Sequence, residues 1–421
     1  MLSRRLPSCL SLLSLLMSTM APAQAALAKP VEIELTHQLG ADKGEQLQKL
    51  VERFNAQSKA GQIVLREGGW EINRQAALAV LRDSDAQTLQ AAKRIKPLWQ
   101  VMREAGANLA TLPVPPMMVP SGTDSANRLV ALPVGLSSPV VFHNRELLAQ
   151  AGVDVEALPR DWRGWQEVLG RLYQSGEACP MTVSEPVSTL IENAGAWNNQ
   201  AFVKTAKGGK GEQIAVNGLI QVKHLALLTT WRKANYLHYF GRSSEGEETF
   251  ANGECAVLAA PSSAYPSLRR QAKFTVGVSG YPYHDDAYGA PQNTWADGPA
   301  LWVAAGRSAA EYKLVASFIR FWLAPESQLE WQVNAGYLPL NPSGLLVAQT
   351  SQLLADDLAA QRLAIAQLTH KPVTAASKAT AFGHRPGVRE VIAEEIESVF
   401  ADRKPAKQGL DDAVQRIERL R

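Results

Sequence analysis

The chain has 421 residues, of which 46% are hydrophobic, and its 43 Lys and Arg stand against 40 Asp and Glu for a formal net charge of +3. So small a surplus offers no polycationic face to nucleic acid, and no acidic or low-complexity tract points to disorder. The length is enough for two domains with substantial cores.

The chain begins with Arg4 and Arg5, then an almost wholly apolar run from Leu10 to Met17, then Ala23-Gln24-Ala25. A basic start, a short apolar stretch and small residues form a secretory leader cleaved near Ala26 or after Ala28. The run is too short for a bilayer, which needs about 20 residues. Removing Arg4 and Arg5 takes the formal charge from +3 to +1. Beyond the leader, Val31, Ile33 and Leu35 alternate with Glu32, Glu34 and Thr36, the period of a half-buried strand. Leu47, Leu50, Val51 and Phe54 then recur at helical spacing, and Ile63 to Leu65 reads as a second strand. Further strands are expected over 77–82, 129–134, 140–143, 181–183, 256–260, 274–278 and 301–304. Helical patterns fall between them over 165–173, 219–239, 310–323 and 388–400. This alternation predicts an α/β architecture with mostly parallel sheets. No Gly/Ser- or Pro-rich tether divides the chain, so two lobes would be joined by ordered strand crossings, which suits hinge closure.

Cys179 and Cys255 each open a short apolar run. In an oxidising compartment they could pair, the alternative being two buried free thiols. The sequence has no Gly-rich phosphate loop, no G-x-S-x-G elbow, no HExxH and no paired-cysteine metal spacing. His284-Asp285-Asp286 follows Tyr281-Pro282-Tyr283 and reads as a solvated loop, because three adjacent residues do not easily face one metal. His224 reads as a packed or surface histidine. Neither cofactor nor metal is expected, and no nucleophile or acid/base pair can be assigned.

Other residues suit the gripping of an oxygen-rich ligand. Trp70 follows Gly68-Gly69, and Trp295 lies in Asn293-Thr294-Trp295-Ala296-Asp297-Gly298; rings at turns can lie against the C–H face of a polyol. Trp99, Trp231, Trp322 and Trp331 fall instead on helical apolar stripes. Ser137-Ser138 and Ser262-Ser263 place hydroxyls at strand ends. Gly383-His384-Arg385-Pro386-Gly387-Val388-Arg389 leads into a helix, with Arg389 near an N-terminus whose amides favour anions. Arginine and amides together would clamp a phosphate or carboxylate; the other reading is a surface arginine paired with Glu390 or Glu394.

Nearly the whole chain beyond the leader resembles the sn-glycerol-3-phosphate-binding proteins of ABC importers, a branch of the extracellular solute-binding proteins of carbohydrate uptake. The most specific stretches are Gly289-Ala290-Pro291-Gln292-Asn293, Gly336-Tyr337-Leu338-Pro339, and Arg389 with the run from Glu394 to Val399. Glu192-Asn193, Ala196-Trp197-Asn198 and Ala300-Leu301-Trp302-Val303 add to it. The resemblance implies a two-lobed periplasmic binding protein with its ligand in the interlobe cleft. One lobe would comprise 26–138 and 300–336, the other 139–299 and 337–421, after a leader over 1–25. It further implies ligand contacts from Ser137, Ser262, Gly298, Tyr337 and Arg389, the last on phosphate. The family's tyrosine falls at Trp70 and its glutamate at Asp83, the segment behind Trp70 is shorter than usual, and Thr36 stands where an aromatic usually precedes His37.

The expected function is therefore capture of sn-glycerol-3-phosphate or a glycerophosphodiester, as a monomer that serves a membrane permease and its ATPase. A neutral sugar stacked on Trp70 and Trp295 is the alternative. A secreted hydrolase and a ligand-free adaptor or sensor are further options.

Overall fold

The computed structural model describes residues 30–420, apart from 71–75, 83–84, 87–88, 91, 108–122, 125–127, 207–208, 210, 341–343, 345, 348–349 and 353. The leader over 1–25 and the candidate Asp83 lie outside the described residues.

The first alternating stretch forms β1 (Glu32–His37), followed by the helix Ala41–Gln57 and β2 (Gln62–Glu67). Leu47, Leu50, Val51 and Phe54 turn one face of that helix into the core. With β3 (Leu78–Leu81), β4 (Leu132–Pro133) and β11 (Ala300–Val303) these strands build a sheet ordered β2-β1-β3-β11-β4. A second sheet is ordered β10-β5-β9-β6, from β5 (Pro139–Asn144), β6 (Met181–Val183), β9 (Val257–Pro261) and β10 (Val276–Ser279). A hairpin of β7 (Val203–Thr205) and β8 (Glu212–Ile214), which was not among the expected strands, stands apart.

The sheets are mixed rather than mostly parallel. β1 runs parallel to β2 and β3, but β11 is antiparallel to β3 and β4. β9 runs parallel to β6, while β5 is antiparallel to both β9 and β10. The reason is the crossings: β11 enters the first sheet from the far side of the molecule, against the direction set by the βαβ unit of β1 and β2. β5 leaves the first sheet's side for the second in the same way.

Three passages of chain run between the sheets and are hydrogen-bonded together. Ser137 and Asp297 form an antiparallel bridge, with Ser137 N donating to Asp297 O at 2.9 Å and Asp297 N to Ser137 O at 3.0 Å. Gly135 N donates to Pro299 O at 3.0 Å, and Leu338 N to Leu136 O at 2.7 Å. Gly298 is required here by sterics. Its φ is 155°, and a Cβ would lie 1.8 Å from Gly135 O. This knot of backbone fixes the floor of the space between the sheets.

Cys179 and Cys255 are disulfide-bonded. The pairing follows from register: each lies two residues before the matched pair Met181 and Val257 of the parallel strands β6 and β9. The 219–239 pattern ends as a helix at Lys233, where Asn235 takes a left-handed φ of 59°.

Candidate ligand cleft

The space between the sheets is a cleft of about 770 Å³, lined by residues attached to both. Its walls begin where strands end. Lys43 lies in the first turn of the helix after β1, Arg82 directly follows β3, and Glu185 lies two residues beyond β6. Side chains at the C-terminal ends of sheet strands converge on the crevice in this way. Glu185 adopts a left-handed φ of 50° there.

Arg82 and Glu185 face each other across the cleft as a bidentate pair, with Nη1 to Oε2 at 2.9 Å and Nη2 to Oε1 at 2.5 Å. Burial alone would raise the Glu185 pKa, but Arg82 overrides it and holds the carboxyl below its ordinary value. Arg270 Nη2 grips Asp42 at 2.6 and 2.7 Å, a second tie between the two walls. Lys43 Nζ donates to Ser263 Oγ at 3.4 Å and lies 5.1 Å from the centre of the Tyr337 ring. Tyr337 in turn stacks on Trp331, 5.7 Å between ring centres.

A smaller chamber of about 170 Å³ adjoins the cleft and shares Arg82, Glu185 and Ser188 with it. Its lining also includes Arg242, Arg385 and Arg389. Arg389 stands in the first turn of the helix Val388–Phe400, behind Gly387, which offers no side-chain cap. Its guanidinium is already engaged: Nε and Nη2 donate to Glu192 at 3.0 and 2.6 Å, and Nη2 also to Asp297 at 2.5 Å. Burial would lower its pKa, yet the two carboxylates keep it well above the ordinary value. The alternative pairing with Glu390 or Glu394 does not form among the described residues: Arg416 holds Glu394. Arg242 is bound to Glu397 at 2.7 Å through Nε and 2.5 Å through Nη2. Arg385 is exposed, lies over Phe382 at 4.1 Å and has no ion-pair partner among the described residues.

Of the candidate residues, Ser137, Gly298 and Tyr337 line the large cleft and Arg389 lines the small chamber. Three others do not line either. Trp70 is 4% exposed and packs with Ala79, Leu81 and Trp302, because the chain after Gly68-Gly69 folds its ring back over the sheet. Trp295 is 3% exposed, its Nε1 donating to Ser377 O at 2.9 Å and its ring set edge-on to Phe202. Ser262 is wholly buried: its N donates to Ser138 O at 2.9 Å, and its Oγ accepts from Ser138 N at 3.4 Å. The turn Ser262–Ala264 that ends β9 presents Ser263 instead.

His284 is buried rather than solvated. Its Nε2 lies 3.2 Å from His224 Nδ1, beneath Trp162, while Asp286 and Asp285 point outward to Lys223 and Arg163. Among the described residues no group of three His, Cys, Asp or Glu is placed to hold a metal, and no helix is long and apolar enough to cross a membrane.

Residues 48–388 match the family model described as bacterial extracellular solute-binding protein. The chain is 34% identical over 411 residues to the sn-glycerol-3-phosphate-binding periplasmic protein UgpB of Pectobacterium atrosepticum, covering 94% of this chain and 91% of that one. It is 32% identical over 425 residues to the protein of the same name from Escherichia coli, covering 97% and 96%. Among solved structures it resembles UgpB from Mycobacterium tuberculosis in complex with glycerophosphocholine, with a TM-score of 0.73 at 16% identity over 93% of this chain and 98% of that one. It also resembles maltose-bound MalE3 of T. maritima, with a TM-score of 0.69 at 16% identity over 93% and 100%. These structural likenesses establish the two-lobed fold, and the sequence matches establish the kinship: the chain belongs to the bacterial extracellular solute-binding protein family.

Proposed function

We propose that this chain is the periplasmic capture component of an ABC importer and that it holds sn-glycerol-3-phosphate or a glycerophosphodiester between its lobes. The observation that carries the reading is the chamber beside the cleft, with four arginines in its wall and a 13-residue helix starting there without a side-chain cap. Guanidinium donors and a helix start are what a phosphate group needs. Arg385 is the cation best placed to donate to it, while Arg82 is held by Glu185 through both Nη atoms. Arg389 organises the wall through Glu192 and Asp297, and its Nη1 has no hydrogen-bond partner among the described residues. Ser137, Ser188 and Ser263 would serve the ligand hydroxyls. The names carried by the Pectobacterium and Escherichia relatives support the same ligand class.

A neutral sugar finds less to hold. The two tryptophans on which that reading relied lie in the cores, and Tyr337 is the one aromatic residue in the lining of the large cleft.

The lobes would be 26–138 with 300–336 and 139–299 with 337–421, after removal of the leader over 1–25. Binding is then a population shift: a ligand bridging the lobes has greater affinity for the closed form. The pairs Arg82–Glu185 and Asp42–Arg270 belong to that closed form, which a permease with its ATPase would receive from a monomer.

Isothermal calorimetry with sn-glycerol-3-phosphate, a glycerophosphodiester and maltose tests the proposal. Saturable binding of either phosphate is expected. Heat with maltose alone would refute it.

A further inference from the structure

Two ion pairs reach across the cleft, and their polarities are opposite. In one, the first sheet's side supplies the cation and the second's the carboxylate: Arg82 after β3 holds Glu185 after β6. In the other the roles are reversed. Asp42, in the first turn of the helix Ala41–Gln57, is held by Arg270, in the last turn of the helix Tyr265–Gln271 that follows β9. Arg82 and Glu185 border the small chamber, whereas Asp42 and Arg270 are absent from its lining, so the pairs stand at separate points of the cleft.

Both pairs are held from behind. Glu185 is fixed in its left-handed conformation by its own N, which donates to Ser243 O at 2.9 Å, and by Thr189 N, which donates to Glu185 O at 2.8 Å. A residue with a side chain keeps such a φ only where its surroundings determine it. Arg270 reaches past Asp42 to Asn334 O, 3.4 Å from both Nη atoms. Asn334 lies in the last turn of the helix Pro325–Ala335, whose final carbonyls have no partner within the helix. That helix packs against Ala41–Gln57, so Arg270 ties the second sheet's side to two joined helices at once.

A single exposed ion pair contributes little. Two of opposite polarity do more than attract, because a slip that carries either cation towards the other pair brings like charges together. Resting on the reading that the lobes close around a glycerol phosphate, we infer that these pairs form a two-point latch that fixes the register in which the lobes meet. Asp42 and Arg270, which take no part in holding the phosphate, then act as positioning residues. They set the affinity from outside the ligand's contacts, since a ligand that selects the closed form binds more tightly the more that form is favoured beforehand.

The test is calorimetric titration of the leader-free chain with sn-glycerol-3-phosphate and glycerophosphoglycerol at low salt, where exposed charges are least screened. Small-angle scattering of the ligand-free chain accompanies it. Arg270→Glu sets two carboxylates against each other; it should weaken binding about tenfold and enlarge the radius of gyration. Adding Asp42→Lys restores the attraction and should recover most of the affinity and the compactness, a repair that a merely structural loss at Arg270 would not show. If Arg270→Glu binds as tightly as the wild-type chain, or the double variant binds no more tightly than the single one, the latch is overturned and the glycerol-phosphate reading stands. If the wild-type chain binds neither ligand, that reading falls and scattering alone decides the latch: equal radii for the three chains overturn it, and expansion reversed in the double variant supports it.

Discussion

Replacing Arg389 by methionine keeps most of the side chain's length and removes its charge. The structure sets the cost. Glu192 is 3% exposed and Asp297 14% exposed at the side chain, and both have Arg389 as a counter-ion. Taking away one partner of a buried ion pair costs about 3–5 kcal/mol, because the remaining charge stays desolvated. Arg389→Met should therefore lose about 3–5 kcal/mol of unfolding free energy at pH 8, read by urea denaturation followed by circular dichroism. Adding Asp297→Asn or Glu192→Gln should recover part of the loss at pH 8. A single variant within about 1 kcal/mol of wild type at pH 8 would refute the argument.

Three further outcomes are expected. Gly298→Ala forces a Cβ onto Gly135 O at a φ of 155°, and should cost about 3 kcal/mol in denaturant unfolding; an unchanged midpoint would contradict the close packing at the crossing. Removing the Cys179–Cys255 bond as a double serine variant frees a loop with a sequence separation of 76, worth about 4 kcal/mol in the chain-entropy model; equal stability with and without reductant would count against it. His143 is buried with neither ring nitrogen partnered among the described residues, and burial, aided by Arg145, pushes its pKa down from 6.5 to about 4. The unfolded state takes up the proton first, so stability should fall as pH drops from 6.5 to 4, by about 3 kcal/mol from this residue, and the slope should be shallower in His143→Leu. An identical slope in that variant would refute the assignment.

Much of the fold was legible because the strands announce themselves. Met181 to Val183 is a strand over the residues its apolar run predicts, and the cysteines that precede β6 and β9 meet because those strands are neighbours. Sheet direction was not legible, because it depends on which strands arrive through the crossings, a property of topology rather than of any local pattern. Gly298, Tyr337 and Ser137 were placed in the cleft by resemblance to the family, and Arg389 was singled out by its helix start as well. Trp70 and Trp295 were misread because adjacent glycines and turn residues suggest exposure, whereas Trp70 folds into a small satellite cluster and Trp295 into a main core. Ser262 and Ser263 differ by one step of a tight turn, which sequence cannot phase. Lys43, Arg82 and Glu185 carry no motif. The signal that could have found them is their position beyond β1, β3 and β6, where strand ends meet a crevice.

The central claim is capture of a glycerol phosphate in the cleft, and native mass spectrometry of the leader-free chain tests it most directly. The chain would be incubated with an equimolar mixture of sn-glycerol-3-phosphate, glycerophosphoethanolamine and maltose. The account predicts one adduct per chain with the mass of a glycerol phosphate, lost when Arg385 is replaced by alanine. A maltose adduct in its place would contradict it.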